Sequence, residues 1–160
     1  MSSVSLVIGS TGLIGKKLIF ELAKKDSEVI AITRRSISNL PENVTLLDIN
    51  FDDFLNNGSL PSCDHIYICL GSTIKKAGSQ SEFKKVDFDY SVSFARKAKE
   101  AGATKISLVS SVGANPYSKN FYLKTKGEVE EEIKKIDFQS INIFRPSLLL
   151  GHREDGRFLE

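Results

Sequence analysis

Short apolar runs alternate with longer amphipathic stretches along this chain. The runs are nearly continuous in Val, Ile and Leu, which is typical of strands covered on both faces, and so they predict a parallel sheet. Six strands are predicted, at Val4–Gly9, Glu28–Thr33, Val44–Ile49, His65–Gly71, Lys105–Ser111 and Ser140–Pro146.

The stretches between these runs have the periodicity of helices. Ser79 stands three residues before Glu82, the spacing of a capping box, and Gly102 ends that helix. Helices are predicted at Gly12–Lys25, Phe51–Asn57, Ser79–Ala101 and Ser118–Lys135. The alternation predicts an α/β fold, namely a Rossmann-type doubly wound parallel sheet in the order 3-2-1-4-5-6 within a three-layer αβα arrangement. In such a fold the ligand lies beyond the carboxyl ends of the strands, near the switch between the first and the fourth.

Composition narrows the class of protein. The 160 residues, 41% hydrophobic and 26% charged, suffice for one globular domain, expected to span residues 1–160. A net charge of only +2 gives no electrostatic footprint for nucleic acid. The two cysteines, Cys63 and Cys69, are too few for a disulfide framework. The two histidines, His65 and His152, do not form a ligand cluster, so no metal site is expected.

The start of the chain bears on location. Only two serines separate Met1 from the first predicted strand, which leaves no room for a signal peptide. No apolar run approaches the length of a membrane span. We therefore expect a cytoplasmic protein with no membrane partner.

A glycine-rich turn joins the first predicted strand to the first predicted helix. Its glycines recur at every third position, and the residues of the turn are Gly9, Ser10, Thr11, Gly12, Leu13, Ile14 and Gly15. By itself the spacing fits either a flexible turn or a phosphate-binding loop. Its place between a strand and the N-terminus of a helix, whose free N–H groups and dipole favour an anion, indicates a pyrophosphate site.

Two arginines follow the second predicted strand, where an NAD-specific fold usually has an acidic residue. Arg34 and Arg35 are suited to the 2′-phosphate of NADP(H), so we expect NADP(H) as cofactor, with NAD(H) as the weaker choice. The alternative is a pair of solvated surface arginines. Further cofactor contacts are predicted at the ends of the third and fourth strands, at Asp48, Ile49, Leu70, Gly71 and Ser72.

Tyr122 and Lys126 are four residues apart on the helix that follows the fifth strand, so they share one face. An ammonium beside a phenol favours the phenolate, which lets Tyr122 exchange a proton with a substrate hydroxyl or carbonyl. Lys126 could also hold the ribose hydroxyls of the cofactor. Ser111, or less favourably Ser110, would orient the carbonyl oxygen at the end of the fifth strand.

The chain resembles the atypical short-chain dehydrogenase/reductase superfamily, and within it the Tat-interacting oxidoreductase-like branch and bacterial NAD-dependent epimerase/dehydratase-like proteins. The resemblance runs in order from Leu6 to about Gly151 through GSTGLIG, CLGSTIKKAGS, FKKVDFDY, SSVGA, YLKTKGEVE and FRPSLLLG. It implies a Rossmann-type fold, NADP(H) at the glycine loop and a Ser–Tyr–Lys site matching Ser111, Tyr122 and Lys126. Pro146 and Ser147 match a family segment that lies along the nicotinamide.

The chain departs from the family pattern at two points. Position 87 is Asp where many members have an Asn that supports a proton relay. The family also continues beyond the Arg-Pro segment with elements that close the substrate pocket, whereas this chain ends 14 residues after Pro146. We therefore expect the substrate side of the cleft to be open.

Three functions fit these observations. The first is an NADP(H)-dependent oxidoreductase that transfers hydride to or from a small carbonyl or alcohol of unknown identity. The second is a regulatory module in which NADP(H) controls the binding of a protein partner without turnover. The third is a nucleotide-sugar epimerase or dehydratase. A homodimer is compatible with each.

Overall fold

Six parallel strands form one sheet in the computed structural model, which describes residues 2–25, 27–147 and 149. Their order is β3-β2-β1-β4-β5-β6, and every neighbouring pair is parallel, which confirms the predicted topology. The strands are β1 Val4–Ile8, β2 Glu28–Thr33, β3 Val44–Asp48, β4 His65–Ile68, β5 Lys105–Val109 and β6 Ser140–Phe144.

Every strand except β2 ends earlier than the sequence predicts, and β3 ends one residue early, at Asp48. The pairing of β1 with β4 ends at Ile8 and Ile68, and the pairing of β5 with β6 ends at Val109 and Phe144. The residues that follow leave the ladder and turn into loops at the carboxyl edge of the sheet. These are the positions at which the sequence places cofactor and catalytic residues.

Helices cover both faces of the sheet. They are α1 Leu13–Ala23, α2 Phe51–Asn57, α3 Ile74–Ala77, α4 Gln80–Lys84, α5 Ser91–Glu100 and α6 Phe121–Lys134. Alternation along β1 separates the two sides of the core. Leu6 and Ile8 pack with α2, α5 and α6, whereas Val7 packs with Ile19 of α1. The described part of the chain contains no helix with the length and apolarity needed to cross a bilayer.

The helix predicted over Ser79–Ala101 is present from Gln80 to Glu100, but it is not α-helical throughout. α4 and α5 are joined by a π-helical turn, Lys85–Tyr90, and the sequence analysis missed α3 altogether. α3 exists because the Thr73 side chain caps it by accepting from Lys76 N, and Gly78, with φ of 92°, ends it. Hydrophobic periodicity does not reveal a π turn, because the turn is short and the α-helical segments on either side of it keep the usual spacing of apolar residues.

Candidate functional site

An open cleft of about 1630 Å³ lies at the carboxyl edge of the sheet. Its walls come from the glycine-rich loop after β1, the arginines after β2, the turn after β4 and the serines after β5. Parallel strands bring all four segments to one edge, where ligands of this fold bind. Most of the residues predicted for the cofactor and for catalysis line this cleft: Gly9, Ser10, Thr11, Gly12, Leu13, Ile14, Arg34, Arg35, Leu70, Gly71, Ser72, Ser111, Tyr122, Lys126, Pro146 and Ser147.

Two glycines of the loop are required by close backbone packing. Gly9 has φ of 81°, and a Cβ there would lie 2.4 Å from the carbonyl oxygen of Cys69. A Cβ on Gly15 would lie 2.2 Å from the carbonyl oxygen of Gly9. Gly15 therefore lies beneath the loop and packs it against α1, and it is not part of the cleft lining.

Gly12 stands in a different environment. The nearest atom to a Cβ built there is the carbonyl oxygen of Gly9, at 3.4 Å, which is ordinary contact. Gly12 is exposed and has negative φ, −77°, so the protein itself gives no steric reason for a glycine. A ligand passing close to the backbone would supply that reason.

The N-terminus of α1 faces the same loop. No side chain caps it, and its first turn carries no acidic residue. Its first N–H groups therefore lack side-chain acceptors, and their partial positive charge favours an anion. The hydroxyl of Ser10 does not serve this role, because it is buried and shared between the carbonyl oxygens of Val7, at 2.8 Å, and Ile32, at 2.9 Å.

The end of the cleft predicted to hold the adenosine is built on the turn after β2. Arg34 is exposed and lies over the ring of Phe51, 5.1 Å from guanidinium carbon to ring centroid. Arg35 is also exposed, and its backbone N–H donates to the Thr33 hydroxyl at 3.0 Å, which fixes the turn. Asp48 and Ile49 do not line the cleft; Asp48 pairs with Thr33 as the last residue of β3, and Ile49 N donates to the Thr33 carbonyl.

The predicted catalytic residues come together at the other end. Tyr122 and Lys126 lie one turn apart on α6, with the Lys126 ammonium 5.7 Å from the centroid of the Tyr122 ring. α6 begins here because the Asn120 side chain accepts from Leu123 N at 3.0 Å. Gly127 lets this helix approach the β5–α6 loop, since a Cβ would lie 2.2 Å from Pro116 N.

The structure distinguishes the two candidate serines. Ser110 is buried, and its hydroxyl donates to Glu130 Oε1 at 2.5 Å. Ser111 is partly exposed, and its hydroxyl makes only a 3.3 Å contact with the carbonyl oxygen of Val112. Because a hydroxyl has one proton, Ser111 is the serine better able to donate to a ligand.

Two ion pairs beside the cleft were missed by the sequence analysis. Lys126 Nζ lies 2.5 Å from Asp87 Oδ1, and both side chains are buried. Arg145 binds Glu130 with two guanidinium nitrogens, Nε at 2.9 Å and Nη2 at 2.5 Å. The spacing of Tyr122, Lys126 and Glu130 places all three on one face of α6, and this was the available clue to Glu130.

Burial and hydrogen bonding have opposite effects on Glu130. Burial disfavours the charged form, but the hydrogen bonds from Arg145 and Ser110 outweigh it and lower the pKa of the Glu130 carboxyl. The same pair raises the pKa of Arg145. α6 is thus tied to the end of β6 immediately before Pro146, whose carbonyl oxygen accepts from Val112 N at 3.0 Å.

The arrangement fits an extended dinucleotide. Loop amides and the α1 N-terminus suit a pyrophosphate, the arginines suit the adenosine end, and Tyr122 with Lys126 stands at the opposite end. Within the described residues, no group of three or more His, Cys, Asp or Glu side chains forms a potential metal site. His152 lies outside these residues.

Comparison with known proteins gives the same class. The sequence profile of the NAD dependent epimerase/dehydratase family matches residues 5–146. The mitochondrial protein FMP52 of Candida albicans is 34% identical over 163 residues, covering 97% of this chain and 71% of the relative. Protein HTATIP2 of Rattus norvegicus is 34% identical, covering 94% of this chain and 64% of the relative. The chain thus spans about two thirds of these relatives.

Solved structures share the fold at low identity. A Bacillus halodurans protein described as an NAD-dependent epimerase/dehydratase superposes with a TM-score of 0.74 at 23% identity, covering 97% of this chain and 75% of that one. The structure of human SDR39U1 with NADPH superposes with a TM-score of 0.65 at 19% identity, covering 89% of this chain and 52% of that one. The structure of MoeE5 with UDP-glucose and NAD superposes with a TM-score of 0.67 at 17% identity, covering 88% of this chain and 53% of that one. These likenesses concern the fold alone.

The predicted cytoplasmic location is wrong. The FMP52 relatives from Candida albicans and Saccharomyces cerevisiae are named mitochondrial proteins. The prediction rested on the few residues before the first strand and on the lack of a membrane-length apolar run, and neither observation identifies a compartment.

The resemblance on which the sequence analysis drew is therefore confirmed by both the profile and the relatives. The fold, the order of the strands and the cleft at the carboxyl edge of the sheet agree with this resemblance. This chain belongs to the NAD-dependent epimerase/dehydratase family.

Proposed function

We propose that this protein is an NADP(H)-dependent oxidoreductase of the short-chain dehydrogenase/reductase type that acts on a small carbonyl or alcohol. The observation that carries the proposal is the convergence of three elements on one cleft. These are the glycine loop with the uncapped α1, the exposed Arg34 and Arg35, and the Tyr122–Lys126 pair. Family membership supports a nicotinamide dinucleotide as the cofactor, and Arg34 and Arg35 support NADP(H) over NAD(H).

The preference for NADP(H) rests on charge at the adenosine end. Arg34 and Arg35 are exposed cations on a turn that is fixed by Thr33. Their forked donors suit a phosphate dianion, and residues 33–36 at the end of β2 include no acidic side chain. The 2′-phosphate of NADP(H) would therefore accept charge-assisted hydrogen bonds from both guanidinium groups, whereas the neutral 2′-hydroxyl of NAD(H) would interact with them more weakly.

The chemistry follows from the groups at the other end. A nicotinamide bound there would supply the hydride chemistry, as donor to the carbon of a carbonyl or as acceptor from that of an alcohol. Tyr122 gives a proton to the carbonyl oxygen, or takes one from the hydroxyl, and the Ser111 hydroxyl orients that oxygen. Lys126 would donate to the ribose hydroxyls and so hold the nicotinamide ring beside Tyr122.

Calorimetric titration with NADPH and NADH, followed by NADPH oxidation across a panel of carbonyl compounds, tests the proposal. We expect NADPH to bind at least about tenfold more tightly than NADH, which corresponds to about 1.4 kcal/mol. Tyr122→Phe should abolish turnover and leave NADPH affinity nearly unchanged. Preference for NADH would refute the assignment of Arg34 and Arg35, and full turnover by Tyr122→Phe would remove Tyr122 from the mechanism.

The nucleotide-sugar alternative has one observation in its favour, the similarity in fold to MoeE5 with UDP-glucose and NAD. Binding of UDP-glucose that depends on bound cofactor would support it. NADPH binding without turnover on any carbonyl, together with a protein partner whose affinity responds to NADPH, would instead support a regulatory module.

A further inference from the structure

Asp87 is a buried acidic residue beside the predicted catalytic pair. Its side chain is 0% exposed, and that of its partner Lys126 is 8% exposed. Oδ1 lies 2.5 Å from the Lys126 ammonium, and Oδ2 accepts from Ser72 N at 3.1 Å. One carboxylate therefore joins α6 to the turn after β4, and both segments line the cleft.

The backbone around Asp87 is unusual as well. Asp87 lies in the π-helical turn Lys85–Tyr90, between α4 and α5. Isolated π turns inside helices are uncommon and occur frequently at functional sites. Phe83 before the turn and Phe94 after it are both fully buried, so the apolar packing of this helix continues on either side. The widened turn is thus the place at which this helix carries a charged side chain into the interior.

The charge balance has a consequence for Lys126. A buried ion pair has nearly zero net charge, and removing one partner leaves the other charge uncompensated in a poorly solvated site. An ammonium has three N–H donors, and the pair with Asp87 occupies one side of it. Lys126 also lies against the backbone after β4, with Nζ 3.9 Å from a Cβ built on Gly71.

We propose that Asp87 is a positioning residue of the dinucleotide site, which holds the Lys126 ammonium and the Ser72 amide in one arrangement and presents Lys126 as a charge-balanced hydrogen-bond donor. The proposal rests on the proposed function, because the ribose hydroxyls of the dinucleotide are the acceptors in question. It gives position 87 a role other than the proton relay of family members with Asn there. The carboxylate acts through Lys126 and does not touch the cofactor.

A double-mutant cycle tests this role. Lys126→Met removes the donor together with the cation that faces Asp87 Oδ1, and the carboxylate then repels an anionic ligand, so the Kd for NADPH should rise at least about 30-fold. Asp87→Asn keeps the size and the acceptor for Ser72 but removes the charge, and should change the Kd less than about threefold at moderate salt. The double variant should bind NADPH about tenfold more tightly than Lys126→Met, because the anion is gone.

Salt dependence separates positioning from mere structural support. Asp87→Asn unmasks one positive charge near an anionic ligand, so its Kd should rise more steeply with salt than that of the unsubstituted protein. Asp89→Asn is the matched control, since Asp89 lies on the same turn and is exposed. Lys124→Met is the control for α6, where Lys124 makes only an exposed 3.9 Å pair with Glu128. Both controls should leave the Kd and its salt dependence unchanged.

Urea unfolding without ligand completes the experiment. The midpoint of Lys126→Met should fall and should be partly restored in the double variant. Restoration of the midpoint without restoration of the Kd would overturn the positioning role and leave the pair as structural support. A double variant no better than Lys126→Met in either measurement would overturn the proposal entirely. Failure of the unsubstituted protein to bind NADPH or NADH would refute the proposed function and with it any cofactor role of Asp87, while the urea cycle would still decide whether the pair stabilises the fold.

Discussion

Gly12, the residue before α1, and Gly15, in the first turn of α1, should respond differently to the same substitution. In Gly15→Ala the new Cβ would lie 2.2 Å from the carbonyl oxygen and 2.8 Å from the carbonyl carbon of Gly9. These are backbone atoms, so the loop or α1 must move, and overpacking of this kind costs about 1–3 kcal/mol. In Gly12→Ala the nearest atom is 3.4 Å away, and a φ of −77° suits alanine.

The stability of Gly12→Ala should therefore change little. Alanine is slightly poorer than glycine at an N-cap, but it restricts the unfolded chain, so the net change should lie within about 0.5 kcal/mol. Its methyl group instead occupies the space through which the pyrophosphate approaches the backbone, so NADPH affinity should fall at least about tenfold. Gly15→Ala should lower the midpoint of thermal unfolding by about 2–12 °C, since a protein of this size loses about 2–4 °C per kcal/mol.

Thermal unfolding without ligand and calorimetry with NADPH, both on the two variants, make the comparison. The expected pattern is a loss of stability in Gly15→Ala and a loss of affinity at normal stability in Gly12→Ala. Native-like NADPH affinity in Gly12→Ala would refute the placement of the pyrophosphate at this loop. Native-like stability in Gly15→Ala would refute the packing argument.

Three further substitutions test other parts of the site. Arg34→Ala should weaken NADPH binding about tenfold or more and leave NADH binding nearly unchanged, as titration of both cofactors would show, and an equal loss for both would contradict the 2′-phosphate assignment. Arg145→Met should destabilise the fold at pH 7 in urea unfolding. The pKa of Glu130 is lowered in the folded state, so the ion pair stabilises the fold above the ordinary value of 4.5 and ceases to do so as the pH falls. The difference in unfolding free energy between Arg145→Met and the unsubstituted protein should therefore shrink below that pH. A difference that does not depend on pH would argue against the pair. Gly127→Ala should cost about 1–3 kcal/mol by thermal unfolding, because its Cβ would meet Asn115 and Pro116 backbone atoms at 2.2–2.7 Å, and an unchanged midpoint would contradict that contact.

Much of the site was predicted because its residues follow strands directly. An apolar run marks each strand, and the fold brings the carboxyl ends of β1, β2, β4 and β5 to one edge. The glycine loop, Arg34 and the serines after β5 could therefore be placed from position along the chain. Asp48 and Ile49 also stand at the carboxyl end of a strand, but β3 is at the edge of the sheet and neither residue lines the cleft.

The sequence by itself determined the glycine loop and the face of α6 that carries Tyr122 and Lys126, because both depend on spacing within one short segment. It also determined the strand order, because the alternation of strands and helices along the chain predicts one topology. The tertiary structure alone decided that Asp87 balances Lys126, that Glu130 holds Ser110 and Arg145, and that Gly12 rather than Gly15 faces open space. It also decided where the helix widens into a π turn. These features depend on which side chains meet across separate elements, and the energy of a buried charge is fixed by that meeting rather than by its neighbours in the chain.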